Sequence, residues 1–464
     1  MMYFLEIFNH FLWEKCLLIL LLALGVYLTF RLRGMQVRYL PYSLRLAFGK
    51  KQEEGVGDIS QFQSLMTALA ATIGIGSIAG MATAVMAGGL GAIFWMWVVA
   101  FFGMVTKFAE AILAVKYRKV DQRGEMCGGP MYYIRQGLGW PKLAGSFAVF
   151  GAICAFAGGN ITQAHSIAHA MEHLTGLPQA ITGVLIAGLA GVVILGGIKS
   201  LAKVNAVLVP AMALLYIGGG LLVLGYNYDL IIPSMQKIFL HAFSGQAAFG
   251  GFMGAGVMRA MQLGVSRGVS SNEAGLGSAP IAAAAAKTDV PGRQALISMT
   301  GVFLSSFIVC TMTVLIIAVT GVMGSFGPDG KVLNGAPLVM EAFRSVVPFG
   351  HWIVGICIIL FGYSTILGWA YYGEKCVEYL FGENVLVHYR VLFIALAFLG
   401  TLLSLDVVWA LVDIMNGLMA LPNLIGLLLL SPVIVKEAQG FFRLLAEEKE
   451  SSTQCSQSVS LENS

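Results

Sequence analysis

The residues of this chain that suggest chemistry begin with two adjacent hydroxyl side chains, Ser364 and Thr365, in the apolar stretch FGYSTILGW (361–369). Hydroxyl and carbonyl oxygens suit a hard cation such as sodium. In the alternative interpretation, each hydroxyl bonds to a carbonyl one turn back in its own helix. The neighbouring Tyr363 and Trp369 have the shape to wall a small pocket, although aromatic side chains in a bundle core more often only pack. The sequence leaves both interpretations open.

A second candidate site is backbone, in the stretch SLMTALAATIGIGSIAGMATAVMA (64–87). This stretch is long enough to cross a bilayer, yet Gly74, Gly76 and Gly80 interrupt it where glycine weakens a helix. A helix opened inside a membrane frees amides and carbonyls, which are tolerated there when they bind ligands or are buried in protein. The alternative is a packing face of small residues for another helix. We take this broken helix as the centre of the protein.

Polar residues also interrupt the apolar run near 144–172, at GGNITQ (158–163). Polar groups at that depth usually face the interior of a helix bundle, where they join helices or meet a substrate. For Asn160 both roles are open. For Gln163 we expect contact with a substrate.

Three histidines, His165, His169 and His173, repeat every four residues beside Glu172 and therefore lie along one helical face. This spacing resembles that of metal ligands. However, no enzyme-like glutamate stands between paired histidines, and the face lies towards the outer end of its helix. We therefore expect no metal site beyond one for sodium.

Few charged residues fall inside apolar runs, and we interpret them as structural. Arg259 requires a partner or a watery cavity at its depth. Lys107 and Glu110 are predicted to be a locally paired set near a helix end, with the lysine extending to the interface. Asp406 and Asp413 begin the last helix, where carboxylates meet the positive end of the helix dipole.

The stretch SRGVSSNEAGLGSAPIAAAAAKTDVPGR (266–293) is long and punctuated by glycine. It lacks the lysine of a phosphate-binding loop and follows no strand, which argues against nucleotide binding. We predict a cytoplasmic loop that forms a gate or lid on the inner surface.

Composition excludes a soluble protein, because 58% of the residues are hydrophobic and 11% are charged, whereas about 25% are charged in soluble domains. The chain is therefore predicted to be a polytopic membrane protein. Its 7 cysteines are scattered without a CxxC pair, which indicates neither a disulfide framework nor a zinc site. The first apolar run lacks a small-residue cleavage site, so we keep it as a span.

Eleven apolar runs have spanning length, and basic residues set their orientation, because short cytoplasmic loops collect Lys and Arg. The basic stretch RLRGMQVRYLPYSLRLAFGKK (31–51) follows the first run. We therefore predict an outer N-terminus and a cytoplasmic C-terminus, with only Lys15, Lys237, Lys331 and Arg344 of the 28 Lys and Arg on the outer side. The runs fall near 16–30, 64–87, 91–115, 144–172, 179–198, 204–225, 247–268, 294–320, 350–373, 388–404 and 407–435.

Without the first run ten remain, and two halves of five spans must run in opposite directions. The sequence thus predicts an all-α membrane protein of about 11 helices, with one extra N-terminal helix before an inverted 5+5 repeat. Such a repeat requires a break in the first helix of each half, and the glycine cluster FGGFMGAG (249–256) is our candidate for the second. The predicted regions are the extra helix and basic loop (1–63), the first half (64–228), the second half (229–436) and a disordered tail (437–464).

Several motifs resemble those of the alanine or glycine:cation symporters, the bacterial sodium–amino-acid carriers. They are ATIGIGSIAGMATA (71–84), GGLGAIFWMW (88–97), GGPMYY (128–133), SNEAGLGSAP (271–280), AAAKT (284–288) and STILGWAYYGEK (364–375). The resemblance runs from about Phe11 to Val435. It implies the leucine-transporter-like 5+5 fold with one extra N-terminal helix, and sodium-driven transport of small neutral amino acids.

The resemblance also implies a site. The substrate carboxylate would meet backbone amides of the first break, and the amino group would face carbonyls of the second break and Gln163. The residues implied in substrate binding are Gly74, Ile75, Gly76, Ser77, Gln163, Gly251, Gly254 and Trp369, and those implied in sodium binding are Ala70, Ile73, Ser364 and Thr365. Ile75-Gly76-Ser77 departs from the Thr-Gly-Asn common in this family, which bears on the substrate range and on any second sodium site.

The leading interpretation is a symporter that moves a small neutral amino acid, such as alanine or glycine, inward with sodium by alternating access. The alternative is a sodium-independent exchanger or uniporter of the same fold, in which Ser364 and Thr365 only cap a helix. An intramembrane enzyme would need a paired Asp or an HExxH motif, and the sequence has neither. We expect a multi-pass protein of the bacterial inner membrane. Its partners are the amino acid, sodium as the coupling ion and lipid, with no cofactor, nucleic acid or nucleotide.

Overall fold

The structure is a computed structural model that describes residues 7–9, 11–49, 55–244, 253–327, 330–403 and 406–462. Nearly all of this is helical. Within these ranges, the strands are β1 (Lys119–Val120) and β2 (Met126–Cys127), which pair antiparallel as a short hairpin.

The helices fall into two series on either side of residue 250. The first series is α1 (Leu18–Arg31), α2 (Met35–Arg38), α3 (Leu40–Phe48), α4 (Gln61–Thr72), α5 (Ala79–Gly88), α6 (Gly91–Lys116), α7 (Pro130–Tyr133), α8 (Pro141–Phe156), α9 (Thr162–Thr175), α10 (Gln179–Leu195), α11 (Gly197–Tyr226) and α12 (Tyr228–Ser244). The second is α13 (Met253–Asn272), α14 (Ala279–Ala284), α15 (Pro291–Val302), α16 (Thr311–Thr320), α17 (Gly335–Arg344), α18 (Gly350–Phe381), α19 (Leu386–Gly400), α20 (Asp406–Leu429) and α21 (Ser431–Glu462). Tighter or wider turns join or precede some of them, at Phe11–Leu17, Ile75–Ser77, Ile134–Leu138, Ala157–Ile161, Phe303–Cys310 and Glu383–Val385.

The fold is that of a multi-pass helical membrane protein. Among the described residues, 8 helices are long and apolar enough to span a bilayer, or 9 if the bent pair α4 and α5 forms one span. Helix α10 is apolar but has only 17 residues. The predicted number of eleven spans therefore stays a prediction, as do the boundaries of the two halves.

The helix predicted to be broken at its centre is broken in the structure. Helix α4 begins with a capping box, in which Ser60 and Gln63 each bond to the backbone of the other. It ends at Thr72, and after the turn at Ile75–Ser77 the chain continues as α5, bent by 65°. We call residues 73–78 the first break.

A second interruption lies between α13 and α14. Residues 273–278 join these helices, and Glu273, Gly275 and Gly277 adopt positive φ angles of 55°, 88° and 82°. This conformation favours glycine. We call residues 273–278 the second break.

The two broken helices run antiparallel side by side. A Cβ on Gly88, at the end of α5, would contact Ala260 of α13. Further along, Thr72 Oγ1 lies 3.5 Å from Glu273 Oε2, and Ser64 Oγ donates to the Ala282 carbonyl at 2.9 Å. The two breaks therefore meet in the middle of the bundle, as an inverted repeat requires.

Two sequence predictions about this region need comment. The glycine cluster 249–256 falls partly outside the described residues, including Gly251, whereas Gly254 lies in α13. The prediction that 266–293 is a cytoplasmic lid is wrong for its first part, because 266–272 is helical and 271–286 is buried. A Cβ on Gly103, midway along α6, would lie 3.0 Å from Ala274, so the second break lies inside the bundle.

The C-terminal tail, predicted to be disordered from residue 437, is instead part of α21 up to Glu462. Its first half packs on the bundle, where the Phe442 ring stacks on Tyr39 with centroids 4.5 Å apart and Phe441 is buried. The apolar residues at the start of the tail therefore extend the helix beyond the predicted boundary.

Candidate functional site

A cavity of about 710 Å³ lies above the first break. Ile75 and Gly76 form its floor, and residues of α5, α9, α13, α17 and α18 form its walls. We call the side of the bundle that holds α17 the α17 end, and the opposite side, with the β1–β2 hairpin, the hairpin end. The cavity extends from the middle of the bundle to the α17 end.

The first break contains free backbone donors, and two of its residues, Ile75 and Gly76, line the cavity. Among the described residues, the amides of Gly74, Ile75 and Gly76 donate no hydrogen bond, whereas the amide of Ser77 already bonds to the Gly74 carbonyl at 3.1 Å. A Cβ on Gly76 would meet nothing within 4 Å, so open space lies above it. Adjacent free amides at the start of a helical turn form a site for an anion.

Three of the four residues expected to bind sodium come together beside the first break. Ser364 Oγ lies 2.9 Å from the Phe361 carbonyl and 3.3 Å from that of Ala70, and Thr365 Oγ1 makes the same contacts at 2.8 and 3.1 Å. A hydroxyl carries one proton, so it donates to only one of the two carbonyls. The second oxygen contact has no proton, and a cation among these oxygens would stabilise it.

Gly74 connects this oxygen cluster to the free amides, because a Cβ on Gly74 would lie 2.7 Å from Thr365 Oγ1. Ile73, the fourth expected ligand, directly precedes Gly74, and its carbonyl accepts no hydrogen bond from the described residues. The ligand atoms at this site are carbonyl and hydroxyl oxygens, with no carboxylate or thiol among them. Such a set of ligands fits a hard monovalent cation.

Three other residues expected to contact substrate, Ser77, Gln163 and Trp369, do not line the cavity. Ser77 is buried, and its carbonyl accepts a hydrogen bond from Thr313 at 3.0 Å. Gln163 donates to the Gly158 carbonyl at 3.1 Å, while its Oε1 is buried without a partner. Trp369 packs against Gly159, where an added Cβ would overlap its side chain. Asn160, for which two roles were open, donates to the Phe393 carbonyl at 2.7 Å and joins two helices.

The three histidines share one face of α9, as their periodicity predicted, and this face lines the cavity together with Glu172. The rings of His165 and His169 are 4.3 Å apart and meet edge to face. In the part of the chain that the structure describes, the residues whose ligand atoms converge as a metal site would require are Asp121, Cys127 and Glu378, far from these histidines in the chain.

The polar core beneath the cavity was missed by the sequence analysis. Lys107 and Glu110 are only 3% and 0% exposed, so their prediction as an interfacial pair at a helix end is wrong. Glu110 Oε1 accepts hydrogen bonds from the amides of Gly275 and Gly277, at 3.1 and 3.0 Å, and from Asn423 at 2.7 Å. The second break is thus satisfied by an internal carboxylate.

Two arginines of α13 lie near the extra N-terminal helix. Arg259 lines a small cleft that also contains Trp13. Arg267 lines both this cleft and the large cavity, and its guanidinium is 4.0 Å from Asp413. Asp413 was predicted to meet the helix dipole at the start of the last helix, but it lies about two turns inside α20 and faces this cation instead.

The hairpin end is closed by an ionic cluster. Lys375 is fully buried, with its ammonium 2.9 Å from Glu378, 3.4 Å from Glu125 and 3.7 Å from Asp121. Its Nζ also lies 3.3 Å from Cys127 Sγ, and burial raises the pKa of this thiol to about 12. The cluster ties the hairpin to the end of α18.

The paired breaks, the cavity beside them and the closed hairpin end define a membrane transporter of the leucine-transporter-like class. A family model described as the sodium:alanine symporter family matches residues 1–455. The chain therefore belongs to that family, whose members are transporters and not enzymes.

Individual relatives agree with this assignment. The chain is 53% identical to the sodium/alanine symporter AgcS of Methanococcus maripaludis over 445 residues, covering 95% of this chain and 97% of the relative. It is 36% identical to the probable sodium/glutamine symporter GlnT of Bacillus subtilis, covering 94% and 89%.

Solved structures agree on the fold at low identity. The chain is similar to MhsT in complex with L-phenylalanine, with a TM-score of 0.57 and 13% identity over 82% of this chain and 92% of that one. It is also similar to a Na⁺-coupled sialic acid symporter, with a TM-score of 0.55 and 13% identity over 87% and 86%.

Proposed function

We propose that this protein is a symporter that carries a small neutral amino acid, such as alanine or glycine, inward together with sodium. The observation that carries the proposal is the contact between Gly74 and Thr365, which places three free amides beside a cluster of hydroxyl and carbonyl oxygens. An α-carboxylate on the amides and a cation among the oxygens would attract each other across a short distance. Each would therefore raise the affinity for the other.

We infer the direction of transport from the hairpin end and the α17 end of the bundle. The basic loops assign the hairpin end to the cytoplasm, and the cavity then opens to the outside. Alternating access requires that the Lys375 cluster separates while the cavity closes. In the proposed topology the N-terminus lies outside and the C-terminus lies in the cytoplasm, with the protein in the bacterial inner membrane.

One observation favours the second candidate, a sodium-independent exchanger or uniporter. Both hydroxyls already bond to the Phe361 carbonyl, as in helices where serine and threonine have no ligand. In that case sodium would have no effect on transport.

Uptake of labelled alanine into proteoliposomes distinguishes the two candidates. We expect accumulation with an inward sodium gradient and none with an equal potassium gradient, because sodium is the coupling ion in this proposal. Equal uptake in both would refute the symporter. Unlabelled glycine, glutamine, leucine and phenylalanine, tested as competitors, then define the substrate range.

A further inference from the structure

The polar core around the second break holds more acidic groups than basic ones. Within the described residues it contains one ammonium, that of Lys107, and two carboxyls, those of Glu110 and Glu273. Lys107 donates to the carbonyl of Asn272 at 2.9 Å, next to Glu273 in the chain. An unpaired charge buried in a membrane protein is costly, and a carboxyl removes the cost by taking up a proton.

The hydrogen bonds identify which carboxyl is ionised. Glu110 Oε1 accepts three N–H donors, a pattern that stabilises the charged form. Lys107 is one turn away on the same helix, and its charge acts on both carboxyls. One ammonium balances only one carboxylate, so Glu273, which is 2% exposed, is the carboxyl that takes up a proton.

The surroundings of Glu273 fit a proton better than a sodium ion. Its Oε2 is 2.8 Å from Ser278 Oγ, and the Trp369 indole lies near the carboxyl. The indole N–H is a donor only and offers no lone pair to a metal ion. Thr72 Oγ1, at 3.5 Å, donates its proton to the Ala68 carbonyl at 2.6 Å. Too few oxygens therefore converge there to replace the hydration of a metal ion.

The other titratable groups near Glu273 do not supply a positive charge. Tyr372 of α18 and Cys154 of α8 are close enough to interact electrostatically with Glu273, and both side chains are neutral at pH 7. Tyr133 faces Glu110 and bonds to Asn423. Lys107 is thus the one cation facing this site from the described elements.

We propose that Glu273 is a proton-binding carboxyl whose occupancy sets the coupling between the two breaks. Glu273 begins the second break and contacts Thr72, the last residue before the first break. With the proton bound, the carboxyl is neutral and the two breaks lie together as in this structure. When the proton leaves to water, the new negative charge attracts the Lys107 ammonium, which bonds to the Asn272 carbonyl at the end of α13, and this attraction shifts the second break. The proposal rests on the transport function proposed above.

The pH dependence of transport tests this proposal. Counterflow of labelled alanine in proteoliposomes with equal sodium on both sides measures transport without a sodium gradient, between pH 5 and 9. We expect a pH-dependent rate for the unchanged protein and a rate nearly independent of pH for Glu273→Gln, which mimics the protonated group. Glu341→Gln, at a partly exposed carboxyl of α17, should keep the unchanged profile. Retention of that profile by Glu273→Gln would overturn the proposal.

A second variant covers the case in which Glu273→Gln does not fold. Ser278→Ala removes a donor that stabilises the ionised carboxylate, so the proton should bind more tightly. The midpoint of the profile should then rise by about one pH unit. An unchanged midpoint would overturn the proposal.

Three histidines also line the cavity, and histidine is a common source of pH dependence in proteins. Because they remain in both variants, they cannot account for a difference between the variants and the unchanged protein. Sodium-driven uptake at a single pH tests the symporter separately, so failure of that function is distinguishable from failure of the proton site.

Discussion

Gly74 and Thr365 are in contact, and a Cβ added to Gly74 would lie 2.7 Å from Thr365 Oγ1. The backbone of Gly74 has φ −102° and ψ −166°, which alanine also adopts. We therefore expect Gly74→Ala to fold and to displace the hydroxyl, raising the sodium concentration for half-maximal alanine uptake at least tenfold. Gly145→Ala, where the new Cβ meets nothing within 4 Å, is the matched control. Unchanged sodium dependence in Gly74→Ala would place the cation elsewhere.

Thr365→Val tests the same oxygen cluster from the side of α18. Valine keeps the shape of threonine but removes one oxygen, and a lost bond to a charged group costs about 1.5–3 kcal/mol. Half-maximal uptake should need roughly ten times more sodium, with little change in the maximal rate. Thr320→Val is the control, because the Thr320 hydroxyl bonds only to carbonyls of its own helix. If both variants behave alike, the Thr365 hydroxyl serves only its helix.

Substitutions at Gly76 test the free amides. Because a Cβ there would meet nothing within 4 Å, Gly76→Ala should insert and retain measurable uptake. Gly76→Leu should also insert, but its branched side chain fills the floor of the cavity, so uptake should fall below detection. Surface expression, measured for both, separates loss of binding from loss of the protein. Normal uptake by Gly76→Leu would refute the binding of a carboxylate at the first break.

Ile75 should limit the size of the substrate. Its side chain lines the cavity floor and packs against α18, where a Cβ on Gly362 would lie 3.0 Å from Ile75 Cδ1. Overfilling a packed pocket costs typically 1–3 kcal/mol. Glycine and alanine should therefore compete at least tenfold better than leucine and phenylalanine, and Ile75→Thr should reduce that difference. Equal competition by leucine, with and without the substitution, would show that Ile75 does not contact the substrate.

Cys127 should report opening of the hairpin end. Burial raises its pKa to about 12 and leaves little thiolate at pH 7, and thiolate is the reactive form. In a variant with Cys127 as the single cysteine, labelling by N-ethylmaleimide should be slow, and it should speed up as pH rises towards 12. Alanine and sodium, the substrate and coupling ion that we propose, should accelerate the labelling at least tenfold. Unfolded protein is the control for full reactivity, and no acceleration during transport would show that this end does not open.

The sequence predicted those features that depend on local pattern. Glycine spacing predicts the first break. The recurrence of histidine every four residues predicts a shared helical face, and this face lines the cavity. The adjacent hydroxyls predict an oxygen cluster because two neighbouring side chains must lie close together wherever the helix packs.

The features that the sequence did not predict depend on partners distant in the chain. Glycine density favoured 249–256 over Gly275 and Gly277, but the latter pair is separated by one residue, as in the first break. Glu110 meets these two amides from 165 residues away. A lysine and a glutamate inside the apolar helix α6 were the available signal. Which break these two residues contact could not be predicted without the tertiary structure.

Glu110 also breaks the equivalence of the two halves. An inverted repeat with two opened helices creates two docking points for an anion, one in each half. At the second, the Glu110 carboxylate occupies this point in the structure. Among the described residues, the amides of the first break have no such partner, so the substrate site that we propose uses one of the two breaks.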